Sequence, residues 1–333
     1  MTEENDTPKS GVGVDCGTMN FVAARRSGKA VGIKRIRDAF LDLPLEHKRM
    51  LKLSETSYVE MGDRLLVIGD EALETANLFN REARRPLSRG MIAPGEIDAQ
   101  QVIGLMLKQV LGKGKTGERC CFSVPAPALD IPGSDTIYHA AILRKIFEEL
   151  GYDAKPHNEG QAIIFSECAK ENFSGIGISY GSGMTNVCLS YNAMSALEFS
   201  LGRGGDWIDE GAAKAVNTTA AKICSIKEKA DISKPETREV EAIALFIQTL
   251  IDYSIENIIS HFHKISNEVQ IPKPIPIVIS GGTSLAGGFL EKFKERFEKF
   301  RSKFPVEISD IRSATDPMTS VATGLLLLAQ MED

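Results

Sequence analysis

GVGVDCGTMNFV, residues 11–22, is the stretch from which the rest of the chain can be read. Two short apolar runs flank a turn of small and polar residues, a pattern that predicts a strand–turn–strand hairpin. In such a turn several backbone N–H groups face one point, and Gly17 lets a ligand approach the backbone closely. Phosphate oxygens suit that geometry. Asp15 cannot touch an anion directly, but it can hold a hydrated Mg²⁺ that bridges to phosphates. Asp15 with Thr18 and Asn20 is thus a candidate phosphate-and-metal corner. Taken alone, a plain β-turn with a solvent-facing Asp accounts for the same residues.

Working outward, the same rhythm returns in IGISYGSGMTNV, residues 176–187. Its loop, Gly181 to Asn186, has the same capability, and two such loops could grip a polyphosphate between them. A third glycine loop, Ser280-Gly281-Gly282-Thr283-Ser284, follows a buried-type strand at 275–279 and opens toward a helix. That is a usual place for ligands in α/β folds. No GxxxxGK[ST] occurs anywhere, and residues 11–17 do not fit GxGxxG. Each loop is weak evidence by itself; the ordered set of three is strong. The two hairpins each begin one half of the chain, which suggests two related lobes.

Between these landmarks the periodicity predicts helices at 97–111, 135–150, 157–169, 209–230, 239–265, 289–300 and 318–331, and strands at 120–124 and 306–308. Residues 34–95 are more charged and read as a small inserted subdomain. Residues 1–10 read as a flexible, acidic and polar tail without a signal peptide's apolar core. The apolar run 324–329 is too short to span a bilayer.

Of 333 residues, 43% are hydrophobic and 25% charged, which is globular composition and excludes disorder along most of the chain. Against 39 Lys and Arg stand 45 Asp and Glu, a net charge of −6 that argues against a broad nucleic-acid surface. The six cysteines form no CxxC pair and the five histidines have no metal-ligand spacing, so neither a zinc site nor a disulfide scaffold is expected. A reducing, cytoplasmic compartment fits that usage.

The three loops together resemble the motifs of the actin-like ATPase superfamily: actin, the bacterial actins of the MreB, ParM and MamK kind, the 70-kDa heat-shock chaperone ATPases and the sugar kinases. Residues 13–20 resemble its first phosphate motif, 179–186 its second, and 279–284 its adenosine motif. His157 to Ala162 falls where the family has its first connecting helix. Residues 204–209, GGDWID, are similar to the GGDxxD turn of bacterial actins and chaperones, and Ser225 to Glu228 matches the helix whose Lys approaches the nucleoside.

The resemblance implies an α/β, actin-like ATPase fold: two lobes, each a mixed sheet with flanking helices, around a nucleotide cleft, with a ribonuclease H-like duplicated core. Lobe I would span 11–170, with the subdomain at 34–95 inserted; lobe II would span 171–317; the helix at 318–333 would return to lobe I. ATP or ADP with Mg²⁺ would sit in the cleft. Asp15 would organise the Mg²⁺ shell through water, and Glu159 would orient the attacking water. Gly17, Thr18, Met19, Asn20, Ser182, Gly183, Met184 and Thr185 would hold phosphates. Gly205, Asp206, Lys227, Gly281, Gly282, Thr283 and Ser284 would complete the nucleotide site.

Two departures stand out. The second phosphate motif normally opens with Asp, and here Ser179 takes that place, a weak metal contact through water; Asn186 likewise replaces an acidic residue. Fewer carboxylates imply weaker Mg²⁺ binding and slow hydrolysis. The chain is also short between Lys227 and Glu239, where only 230–238 is available for the upper subdomain of lobe II, which is therefore expected to be reduced or absent.

Within the superfamily, the size and motif style favour a cytoplasmic filament that assembles head to tail with ATP, in a cytoskeletal, DNA-segregation or positioning role, with an adaptor protein as possible partner. The alternative is a non-polymerising ATP-dependent adaptor or assembly factor. Trp207 is expected to pack against the hinge. The basic residues Lys34, Arg35 and Arg37 read as a solvated face.

Overall fold

The computed structural model describes residues 11–28, 30–115, 117–133, 136–265 and 270–331. The tail expected at 1–10 lies outside the described residues. The chain opens with an antiparallel meander, β1 (Gly11–Cys16), β2 (Asn20–Ser27) and β3 (Ala30–Arg37). An inserted module follows: β4 (Phe40–Pro44), α1 (Lys48–Leu53), β5 (Val59–Met61), β6 (Arg64–Ile68), α2 (Asp70–Leu78), β7 (Leu87–Ser88) and β8 (Met91–Ile92). Then come α3 (Ala99–Leu111), β9 (Glu118–Val124), α4 (Thr136–Glu149), β10 (Tyr152–Asn158) and α5 (Glu159–Glu167). The second half begins with another meander, β11 (Gly175–Tyr180), β12 (Thr185–Tyr191) and β13 (Met194–Leu201). It continues through α6 (Gly205–Val216), α7 (Ala220–Lys227), α8 (Arg238–Ile265), β14 (Ile275–Ser280), α9 (Phe289–Phe300), β15 (Ile308–Ser313) and α10 (Ser320–Met331).

The two central sheets have one topology. The first is ordered β10-β9-β1-β2-β3 and the second β13-β12-β11-β14-β15. In each, three strands run antiparallel and two further strands add in parallel beside the first. The helices repeat as well: α3 and α4 flank the first sheet as α8 and α9 flank the second, while α5 crosses to pack on β11 and β12 and α10 crosses back to pack on β1 and β9. Two mixed sheets with flanking helices thus form a duplicated, ribonuclease H-like core, as the family resemblance implied.

Glycine lets the halves meet. A Cβ on Gly324 of α10 would lie 1.8 Å from the Ala162 carbonyl oxygen on α5, so only glycine permits this crossing. A Cβ on Gly177 of β11 would come within 2.1 Å of the Gly160 carbonyl oxygen, which seats α5 on the second sheet's backbone. Cys121 of the first sheet and Cys188 and Val278 of the second share one buried cluster with these two helices.

Each lobe also has its own core. In the second, Ile243, Ile247, Leu250, Ile251, Ile255 and Ile258 recur at helical spacing on α8 and are fully or almost fully buried. Such side chains contribute about 1.5–3 kcal/mol each on burial. The helix is long and apolar enough to cross a membrane, but its apolar face closes this core. Between α7 and α8, residues 228–237 carry no helix or strand, and Ile232 N–H donates to the Gly287 carbonyl at 2.8 Å.

Two helices differ from the sequence reading. The one expected over 209–230 is two, α6 and α7, because Asn217 ends α6 in a left-handed conformation and Thr219 caps the start of α7. The helix expected from His157 starts at Glu159, because His157 and Asn158 end the parallel strand β10. Asn158 caps the helix, its side chain accepting from Gly160 N–H.

Candidate functional site

A cavity of about 470 Å³ lies between the lobes, lined by the β1–β2 turn, the β11–β12 turn, the start of α5, the end of α7 and the turn after β14. Both hairpin turns are therefore brought to one place, the first from lobe I and the second from lobe II. They meet closely. A Cβ on Gly183 would stand 2.5 Å from Thr18 Oγ1 and 2.8 Å from Gly90 N, so glycine is required where the lobes touch. Gly90 N–H donates to Thr18 Oγ1 at 3.0 Å, adding the inserted module to this contact.

Asp15 and Glu159 line the same cavity from β1 and from the first turn of α5. Burial, together with the neighbouring Glu159 charge, pushes the Asp15 carboxyl up to about 8, against a hydrogen bond from Ser123. That bond is 2.9 Å from Ser123 Oγ to Asp15 Oδ1, and Ser123 Oγ also accepts from Cys16 N–H at 2.7 Å. Burial likewise raises Glu159, opposed by hydrogen bonds with Ser179 and Asn186. Asn186 Oδ1 in turn accepts from Ser200 Oγ at 2.5 Å. The carboxylates are thus oriented from opposite lobes, Asp15 by β9 and Glu159 by β11 and β12.

Two buried carboxylates held toward their neutral forms are a setting in which a hard cation would restore the charge. Among the described residues no group of three or more His, Cys, Asp or Glu is placed to hold a metal. The donor set fits Mg²⁺, which keeps most of its waters and takes phosphate oxygens, better than an ion caged by protein alone.

Of the residues singled out in the sequence, Asp15, Gly17, Thr18, Met19, Asn20, Glu159, Ser179, Ser182, Gly183, Met184, Lys227, Gly281, Gly282 and Thr283 line the cavity. Thr185, Gly205, Asp206 and Ser284 stand behind its wall and brace it. Thr185 Oγ1 donates to the Arg203 carbonyl at 2.8 Å. Gly205 and Asp206 N–H donate back to the Gly181 and Ser182 carbonyls at 2.9 and 2.8 Å, holding the second turn in shape. Ser284 Oγ donates to the Gly281 carbonyl at 2.7 Å, stabilising a turn where Gly281 has a φ of 91° that favours glycine.

Lys227 presents its stem to the cavity, while its Nζ donates to Asp209 Oδ2 at 2.8 Å and to the Gly205 carbonyl at 2.9 Å. Thr283 Oγ1 donates to the Gly181 carbonyl at 3.0 Å, so the third glycine turn supports the second. Ser123, Arg35, Arg37 and Gly90 belong to the site and were not assigned to it from the sequence. A polar residue late in the apolar run of 120–124 was the available signal for Ser123. Trp207 is also corrected: it lies on α6 and packs edge-on to Phe246 of α8 at 5.2 Å, within the lobe II core rather than at the hinge.

No curated protein matches the chain. Among solved structures it is similar to a MamK double helical filament, at 20% identity over 98% of this chain and 100% of that one, with a TM-score of 0.73. It is similar to MreB5 of Spiroplasma citri bound to ADP, at 14% identity over 96% of each chain and a TM-score of 0.65. It is similar too to the ethanolamine utilization protein EutJ from Carboxydothermus hydrogenoformans, at 16% identity over 97% of this chain and 91% of that one, TM-score 0.55. These likenesses establish the actin-like ATPase fold. With the Volactin family model matched over residues 11–329, the chain belongs to the Volactin family.

Proposed function

We propose that the chain binds ATP with Mg²⁺ in this cleft, hydrolyses it slowly and associates head to tail into cytoplasmic filaments. The observation that carries the reading is the convergence of the Gly17–Asn20 and Gly181–Met184 turns on one cavity that also holds Asp15 and Glu159. MamK bound to AMPPNP and MreB5 bound to ADP share this fold, which supports a nucleotide as ligand.

The backbone amides of the two turns would hold the phosphates, and the turn Gly281–Thr283 with the Lys227 stem would flank the nucleoside. Asp15 would hold a water of the metal shell, fixed for that task by Ser123. Mg²⁺, when bound, would neutralise phosphate charge. Glu159, oriented by Ser179 and Asn186, would position a water in line with the terminal phosphate and take up its proton. Ser179 carries no charge to draw in the cation or to polarise that water, so turnover would be slow.

Nucleotide bound to both turns would favour the closed arrangement of the lobes, and contacts between like-oriented copies do not close on themselves, so they extend as filaments. Phosphate release from the unaltered protein and from Ser179→Asp, under assembly conditions with Mg²⁺, tests the enzymatic part. The expected result is slow release that the added carboxylate accelerates. No release from the unaltered protein would overturn hydrolysis while leaving binding to be judged by direct titration with AMPPNP.

A further inference from the structure

The basic residues of β3 read from sequence as a solvated face, yet the fold turns two of them toward the cavity. Residues directly opposite in a sheet share a face. Asp15 lies opposite Val22, and Val22 opposite Arg35; Asn20 lies opposite Arg37. Arg35 and Arg37 therefore project on the side of the first sheet that carries Asp15, and both line the cleft. Lys34, which precedes Arg35 on the strand, belongs to the other face with Ile36.

Three cationic side chains line the cavity: Arg35, Arg37 and Lys227. The Lys227 ammonium is spent on Asp209 and Gly205. Arg35, by contrast, makes no hydrogen bond or ion pair among the described residues. Arg37 has a buried Nε without a hydrogen-bond partner, its nearest carboxylate being the exposed Asp70 at 3.6 Å. Neither hairpin turn carries a basic residue: the first reads DCGTMN and the second SYGSGMTN. A polyphosphate seated there would meet backbone amides and buried acids but no compensating cation from the turns themselves.

We propose that Arg35 and Arg37 contact the phosphate chain of the bound nucleotide from the edge strand of lobe I and supply the positive charge that both glycine turns lack. The inference rests on the nucleotide reading of the cleft. Guanidinium groups suit the task because their planar donor fork matches phosphate oxygens. A triphosphate, with one more charged group than a diphosphate, depends on them more.

The test is equilibrium titration with AMPPNP and ADP in the presence of Mg²⁺, on the full chain and its variants. Loss of a charge-assisted hydrogen bond corresponds to about a tenfold loss of affinity or more. Arg35→Ala/Arg37→Ala is expected to weaken AMPPNP by about tenfold to a hundredfold, and ADP by less. Arg35→Lys/Arg37→Lys, which keeps the charge and the strand, is expected to recover part of the loss. Lys34→Ala, which removes the same charge from the opposite face, is expected to bind within about twofold of the unaltered protein. Binding of AMPPNP by the double Ala variant as tight as by the unaltered protein would overturn the proposal. So would an equal loss in Lys34→Ala, which would reduce the effect to overall charge. If the unaltered protein binds neither nucleotide, the cleft reading itself falls and takes this proposal with it.

Discussion

Arg85 Nη1 lies 2.9 Å from Asp206 Oδ2, an ion pair that joins the inserted module to the first turn of α6. The other oxygen of Asp206 accepts from Ser182 Oγ at 2.7 Å, so the pair is tied to the second glycine turn. Both partners are about one-third exposed, and a pair of that kind stabilises by only about 0.5–1 kcal/mol. That is enough to bias a closed cleft without locking it. Arg85→Ala is expected to speed release of a bound fluorescent nucleotide by about two- to fivefold in stopped-flow displacement. A double-mutant cycle with Asp206→Asn checks that the effect belongs to the pair.

Gly183→Ala tests the contact between lobes from the other side. The added methyl would overlap Thr18 Oγ1 and Gly90 N, and two of its three nearest atoms are backbone that cannot swing away. The lobes must part to admit it. A loss of about 1–3 kcal/mol in urea unfolding is expected, with weaker nucleotide binding. An unaltered melting curve with unaltered affinity would show that the turns are not in contact.

Lys227 and Asp209 form a buried pair beside the cleft wall, 2.8 Å apart. Burial pushes the Asp209 carboxyl up, opposed first by the Lys227 charge. Lys227→Met leaves that carboxylate without its cation, and a loss of about 3 kcal/mol is expected in urea unfolding. Lys227→Met/Asp209→Leu removes both charges and is expected to recover most of it. A double variant less stable than the single one would contradict this.

His139 of α4 is buried at 1% exposure, and burial lowers it to about 4. Its Nδ1 accepts from Ile92 N–H at 3.3 Å, and Nε2 has no partner, so the folded protein holds the ring neutral. The unfolded chain takes up the proton first as the pH falls. The neutral ring's contribution is therefore complete above about pH 6.5 and is lost as the pH falls toward 4, by about 3 kcal/mol in all. Unfolding free energies between pH 7 and 4 are expected to decline less steeply in His139→Gln.

The duplicated hairpins and the three glycine turns were legible because their signal is local: apolar alternation broken by residues that turns demand. Strand β10 was not. Tyr152 to Asn158 alternates poorly and contains Pro156, which is tolerated because β10 is the edge of its sheet. Ser123 and the two arginines escaped for another reason. Their roles depend on which strand lies beside which, and the register that aligns Asp15, Val22 and Arg35 exists only once β1, β2 and β3 are paired. Lys227 was placed at the cleft by its motif, but nothing local foretold that Asp209 would claim its ammonium.

The central claim is that nucleotide in this cleft drives assembly, and sedimentation of the full chain with Mg²⁺ and ATP, with ADP, and without nucleotide tests it most directly. The account predicts pelleting filaments with ATP, less with ADP and soluble protein without nucleotide. Monomer in all three conditions would contradict it and favour a nucleotide-dependent adaptor built on the same fold.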